Sequence, residues 1–268
     1  MNKVVVMAPE FSQDDLDADH LRSEVLAVLS HELSTPLAAI KGYVTAMLLE
    51  EVSWPEEKRR QFLQLITEEV DNLQTMISEI LDTTRMEAGL LAIEPQPLRL
   101  PRLAQEVADE MQQRTMAHRF VLDFAPDFPL IDADPRRIKR VLRNLLDNAV
   151  KYAPDGGLVV LRGVVRANDV AISIADQGVG ISPEDMIPLF DKYFRARSSP
   201  DNHVPGTGLG LPLSRAIVEA HNGRIWAESQ LGEGTTLHFS LPRHGLSADV
   251  VANQSVELSS KKQKPKND

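Results

Sequence analysis

The sequence predicts an α + α/β chain: an antiparallel helical hairpin, followed by a two-layer α/β sandwich. Three observations predict it. Apolar residues recur at spacings of three and four along two long stretches before residue 90, which is helical periodicity. Beyond residue 102, helical stretches alternate with short β-branched runs, the pattern of a sheet covered by helices. Between them, Ala92 to Leu100 carries Pro95 and Pro97 and runs into Pro101, a composition that reads as a linker. The expected divisions are a flexible N-terminal segment over 1–19, the hairpin over 20–90, the linker over 91–101, the sandwich over 102–244 and a disordered tail over 245–268.

Each element has its own warrant. Residues 1–19 hold an acidic cluster, Asp14, Asp15, Asp17 and Asp19, without sustained periodicity. Leu21, Val25, Val28 and Leu29, then Ala39, Tyr43, Ala46 and Met47, place a helix from Leu21 to about Leu49. Pro36 lies inside it, so a bend is expected there. Ser53-Trp54-Pro55-Glu56 reads as a capping box opening a second helix. That helix carries Phe62, Ile66, Val70, Leu73, Ile77 and Ile80 on one face to about Ala88, where Gly89 can cap it. A lone hairpin buries only one stripe per helix, so a homodimeric four-helix bundle is expected, with His31 on its outer flank.

In the sandwich, Leu103 to Thr115 reads as a helix and Arg119 to Phe124 as a strand. Asp134-Pro135 is an N-cap followed by proline at the first helical position, opening a helix that runs to Tyr152. Leu158 to Val165 and Val170 to Ala175 form a hairpin about Arg166-Ala167-Asn168-Asp169. Ser182-Pro183-Glu184-Asp185 opens a short helix, and Leu209 to Ala220 is helical again. Arg224 to Glu228 and Thr235 to Leu241 close the domain as strands.

Composition narrows the function classes. The 268 residues are 43% apolar and carry a net charge of −10, which disfavours a general nucleic-acid binder or a surface that docks on anionic lipid. With no cysteine, disulfides and thiolate metal sites are excluded. No run of apolar residues is long enough to span a membrane, and the N-terminus lacks a signal peptide's apolar core, so a soluble, cytoplasmic chain is expected, or the cytoplasmic part of a longer membrane protein.

Chemistry concentrates first in Ser30-His31-Glu32-Leu33-Ser34-Thr35-Pro36-Leu37. The helical neighbours of His31 are Ala27, Ser34, Thr35 and Ala38, all small, so its ring is reachable. A zinc site of the type His-Glu-x-x-His needs a second imidazole where Thr35 stands, which sets a metalloprotease aside. A neutral imidazole there can act as a nucleophile with Glu32 taking the proton from its other nitrogen. The same eight residues also describe a solvated helix histidine.

A second set lies in the sandwich. Asn144, Asn148 and Lys151, spaced by four and three, share a helix face beside Tyr152; the Asn148 carbonyl oxygen can hold Mg²⁺ and Lys151 a phosphate. Downstream lie Asp176-Gln177-Gly178-Val179-Gly180, then Gly206-Thr207-Gly208-Leu209-Gly210-Leu211 at a helix start, then Gly232-Glu233-Gly234-Thr235-Thr236. Such glycines admit phosphate oxygens to backbone amides, and a helix N-terminus favours anions. A dinucleotide fold fails on context, because no strand directly precedes Gly206.

In this order, over residues 21 to 243, the segments resemble the catalytic core of the two-component sensor histidine kinases. SHELSTPL is similar to that family's H box, NLLDNAVKYAP to its N box, DQGVGIS to its first glycine box, LFDKYFRA to its F box, GTGLGL to its second glycine box and GEGTT to its third. The resemblance implies a dimerisation and histidine-phosphotransfer hairpin followed by a Bergerat-type ATP-binding domain. It implies His31 as phosphoacceptor, Glu32 as proton acceptor, Asn148 on Mg²⁺ with Asn144 beside it, and Lys151 on phosphate. It further implies Tyr152 flanking the adenine, Asp176 bonded to its exocyclic amine, Gly178 and Gly180 shaping the pocket, and Arg195 approaching the phosphates. Gly206, Thr207, Gly208, Leu209 and Gly210 would form the cradle of a lid over Arg197 to Pro205, anchored by Phe190 and Phe194, which also read as ordinary core aromatics.

Two departures stand out: Ser34 occupies a position where the family usually has arginine, and Pro212 falls in the first turn of its helix, where proline is tolerated. The related chaperone, gyrase and mismatch-repair ATPases place a water-activating glutamate where this chain has Asn144, an amide and no strong base. Delivery to His31, then to an aspartate of a receiver-domain response regulator, is therefore expected over hydrolysis. Thr35 can orient water for a phosphatase activity or simply bond its own backbone. A dimerisation module that binds or hydrolyses ATP without kinase activity is the alternative.

Overall fold

The structure, a computed structural model, describes residues 13–49, 52–196 and 207–243. Its described residues fall into two compact units, one reaching Ile80 and including Thr207, the other beginning at Leu81. No helix among the described residues is long and apolar enough to cross a membrane.

The first unit is the hairpin of α1 (Gln13–Met47) and α2, which continues into the second unit (Glu56–Glu87). Helix α1 begins eight residues earlier than the apolar periodicity predicts, so the lead-in expected over 1–19 shrinks. Aromatics close the turn. The Trp54 Nε1 donates to the Ala46 carbonyl at 2.8 Å, and the Phe62 ring meets Trp54 edge-on at 5.1 Å and stacks on Tyr43 at 5.9 Å. Along α2, Phe62, Ile66, Leu73 and Ile80 are partly buried, whereas Leu63, Val70 and Ile77 stay exposed seven residues apart. Gly89, at φ 65°, ends α2, and the Leu90 N–H returns to the Arg85 carbonyl at 2.8 Å, as a left-handed cap requires.

The second unit is built on a five-stranded open sheet in the order β2-β4-β5-β7-β6, comprising β2 (His118–Phe124), β4 (Gly157–Val165), β5 (Asp169–Ala175), β6 (Arg224–Gln230) and β7 (Gly234–Pro242). Only β2 and β4 run parallel. Helices α3 (Leu100–Arg114), α4 (Pro135–Lys151) and α6 (Gly210–Ala220) cover one face, and α5 (Pro183–Met186) is a single turn. Strand alternation divides the sheet: Val170, Ile172 and Ile174 of β5 and Leu237, Phe239 and Leu241 of β7 join Leu142, Leu145 and Leu146 of α4 in the core. The alternate residues, among them Ser173, Trp226 and His238, form the other face.

The expected linker over 91–101 is corrected. Gln96–Leu98 forms β1, antiparallel to β3 (Ile131–Ala133), and α3 already starts at Leu100 with Pro101 in its first turn. A two-stranded edge spares the amide that proline lacks, and the buried Leu98 and Leu100 anchor the segment to the core.

Candidate functional site

His31 lies on the exposed surface of α1, beside a half-buried Glu32 and an exposed Ser34. Pro36 is buried one turn on, and the helix runs unbroken through it. The Thr35 hydroxyl donates to the His31 carbonyl at 3.1 Å, the bond a helix threonine makes with no ligand present.

In the second unit the site residues collect around the C-terminal half of α4. Asp134 starts that helix: its Oδ1 accepts the N–H groups of Arg136 and Arg137 at 2.9 and 3.1 Å, a cap worth about 1 kcal/mol. Leu142, Leu145, Leu146 and Ala149 bury one face, which leaves Asn144 and Asn148 half-buried at its margin. The Asn144 Nδ2 donates to Ser214 Oγ on α6 at 2.8 Å. Gly210 makes this approach possible, since a Cβ there would stand 2.2 Å from Asn144 Oδ1. Asn148 makes no side-chain hydrogen bond among the described residues. Lys151 is exposed, with its Nζ 3.7 Å from Asp147.

The glycine turns converge on Asp176, just past β5. Its Oδ1 accepts the N–H groups of Gly178 at 2.9 Å and Thr235 at 3.1 Å. Burial pushes this carboxyl above the ordinary carboxylate range, and those two amides pull it back. Gly178 lies against the Tyr152 carbonyl, which a Cβ would approach to 2.2 Å, and the Val179 N–H bonds that carbonyl at 3.0 Å. The end of α4 is thereby fastened to the first glycine turn. Gly180 backs onto Gln230, and the Ile181 N–H donates to Ser229 Oγ at 2.8 Å, which joins that turn to the third glycine box. Burial raises the Tyr152 phenol, while the Arg195 charge opposes it, so Arg195 acts on this part of the site.

Gly208 sits against the backbone of Tyr193 and Phe194, and the Tyr193 N–H donates to its carbonyl at 3.0 Å. Leu209 is buried and its carbonyl accepts the Leu213 N–H, setting the first turn of α6. Phe190 packs against the hydrophobic core. Thr207 groups instead with the helical unit, where its hydroxyl donates to Glu79 at 2.8 Å. Gly206 and the expected lid over Arg197 to Pro205 lie outside the described residues. Sequence reasoning missed Ser214 and Ser229, isolated serines with no local pattern to mark them.

Two families match the chain. "His Kinase A (phospho-acceptor) domain" matches residues 21–89, and "Histidine kinase-, DNA gyrase B-, and HSP90-like ATPase" matches residues 133–245. The adaptive-response sensory kinase SasA of a Synechococcus species is 37% identical over 234 residues, 84% of this chain and 60% of SasA. The sensor histidine kinase WalK of Bacillus subtilis is 30% identical over 243 residues, 89% of this chain and 39% of WalK. The chain thus spans less than two thirds of either relative. Among solved structures, full-length ShkA in complex with AMPPNP superposes with a TM-score of 0.59 at 29% identity, covering 82% of this chain and 45% of ShkA. With both matched regions in order and the glycine turns closed on Asp176, the chain carries a phospho-acceptor domain followed by a histidine kinase-like ATPase domain, together a two-component sensor histidine kinase catalytic core.

Proposed function

We propose that the chain is an ATP-dependent protein histidine kinase that phosphorylates its own His31 and passes the phosphoryl group to an aspartate of a receiver-domain response regulator. One observation supports this reading above the others: the imidazole of His31 is open to solvent, while Asn144, which stands where hydrolytic relatives carry a water-activating glutamate, is an amide bonded to Ser214. The nucleotide site therefore has a phosphate cradle without a base to activate water.

In this reading Asp176 accepts the exocyclic amine of adenine, Tyr152 flanks the ring, and Gly178 and Gly180 let the backbone close on it. Lys151 and Arg195 neutralise phosphate charge, while Gly206, Gly208 and Gly210 form the hinge of the lid. Asn148 suits Mg²⁺, since its amide oxygen is a hard ligand and makes no protein hydrogen bond among the described residues. Among the described residues no group of three or more His, Cys, Asp or Glu offers an alternative metal site. Bound magnesium supplies neutralisation of the triphosphate charge. A ring nitrogen of His31 attacks the γ-phosphorus, the bond to the bridging oxygen breaks, ADP leaves, and Glu32 takes the other ring proton.

Residues 20–90 act as the dimerisation and phosphotransfer part and 102–244 as the ATP-binding part. The exposed row of Leu63, Val70 and Ile77 supports a homodimeric four-helix bundle, because a seven-residue repeat of aliphatics is a seam for a second helix pair. ATP radiolabelled on its γ-phosphate should label the protein in an acid-labile, alkali-stable form. His31→Gln should abolish the label, and a variant that still labels rejects the assignment.

A further inference from the structure

At the end of the sheet away from Asp176, a cavity of about 680 Å³ opens among Arg166, Asn168, Asp169, Arg224, Trp226 and Ser240. Asp169 begins β5 and Asp176 follows its last residue, so seven residues, roughly 20 Å of strand, separate the cavity from the glycine turns. Register assembles it. Asp169 pairs with Pro242 and Arg224 with Ser240, which brings the β4–β5 turn, the start of β6 and the end of β7 to one edge.

The lining is unusually polar and partly unsatisfied. Among the described residues three buried side-chain atoms lack a hydrogen-bond partner: Thr83 Oγ1, Asp169 Oδ1 and His238 Nε2. One of the three, Asp169 Oδ1, belongs to a lining residue; His238 lies beside the cavity, its ring stacked on Trp226 at 4.9 Å with 3° between planes and its Nε2 3.6 Å from Glu228 Oε1. Arg166 also stands over the Trp226 ring, 6.0 Å from its centroid. A buried carboxylate oxygen without a donor is costly, and an N–H donor would remove that cost. Two guanidinium groups call for a planar anion, and an indole offers a flat apolar wall.

We propose that this cavity binds a small zwitterion of dipeptide size, with its carboxylate on Arg166 and Arg224, its ammonium on Asp169 and its body against Trp226. The volume matches those of small-molecule sites, and the ligand supplies both the anion and the missing donor. Nucleotide and zwitterion then occupy opposite ends of β5.

Trp54 and Trp226 are the only tryptophans, so in the full chain carrying Trp54→Phe, indole emission reports this cavity alone. Glycyl-leucine is the probe, with N-acetylglycyl-leucine and glycyl-leucinamide lacking one charge each. Calorimetry on the unaltered chain accompanies the emission titration. Expected are saturable binding of glycyl-leucine with or without ATP, binding of each capped dipeptide at least about tenfold weaker, and loss of the response in Asp169→Asn and Arg224→Met. No saturation up to roughly 10 mM, equal binding of a capped dipeptide, competition by ATP, or full binding by Arg224→Met would overturn the proposal. Arg224 is exposed, so its variant decides the matter even where Asp169→Asn fails to fold.

Discussion

Gly210 and Asn144 meet across two helices, a close approach between two of the site residues. A methyl group at Gly210 would meet Asn144 Oδ1 at 2.2 Å, and the amide could keep its bond to Ser214 only by moving the start of α6. Gly210→Ala should therefore weaken ATP binding by about tenfold or more while the chain still unfolds cooperatively. A fluorescent-nucleotide titration beside a melting curve separates the two effects. Asp176 carries a pH signature of its own. Its carboxyl lies above the ordinary range because it is buried, so in the role proposed for it, accepting from adenine, it should lose that capacity on acidification before an exposed aspartate does. Nucleotide affinity should fall as pH drops toward that raised value, and Asp176→Asn should bind weakly with the pH dependence gone. At this scale the sequence was informative wherever a motif is contiguous, as in DQGVGIS. Ser214 was not legible, because it meets Asn144 across 70 residues.

Among the elements, α4 depends on a buried joint at its N-terminus. Asp134 caps it through Oδ1, accepts the Glu94 N–H through Oδ2, and donates its own N–H to His221 Nε2 at 2.9 Å. The other ring nitrogen, Nδ1, donates to the Ile217 carbonyl at 2.7 Å, so the pattern requires a neutral imidazole. Burial lowers the His221 pKa below the ordinary histidine value. The stability carried by the neutral ring is complete above about pH 6.5, the unfolded value. It is lost as pH falls below that toward the folded value, because the unfolded chain then binds the proton more readily. The melting temperature should drop between pH 7 and pH 5, and His221→Gln, which keeps an acceptor for Asp134, should flatten that drop. Equal slopes would remove the joint from the account. Truncating the cap, Asp134→Ala, should cost about 1 to 2 kcal/mol by urea unfolding. The cap was readable from Asp134-Pro135. Its second partner, 87 residues away, was not.

Beyond single elements, two features matter, one in each compact unit. Within the second unit, the end of α2 is tied to α4 by Asp82, a buried carboxylate that pairs with Arg137 at 3.1 Å, with Arg140, and more loosely with Arg85 at 3.6 Å. Removing one partner of such a cluster leaves charges uncompensated, so Asp82→Ala should destabilise this unit by about 3 kcal/mol in denaturant unfolding. The other feature is the aliphatic row on α2. Val70→Glu combined with Ile77→Glu should halve the mass measured by light scattering, and an unchanged mass would place the dimer seam elsewhere.

Sequence alone determined the order of the long helices and of the five strands of the main sheet, and where the glycine turns fall, because helical periodicity, caps and glycine turns are set by neighbours a few residues apart. It misread Gln96–Leu98, whose prolines hid an edge strand, and it did not mark Asp82, Ser214 or His221. Those were decided only by the tertiary structure. Whether a lone polar side chain is solvated or is a buried partner depends on which distant element packs over it, and no local pattern encodes that distance.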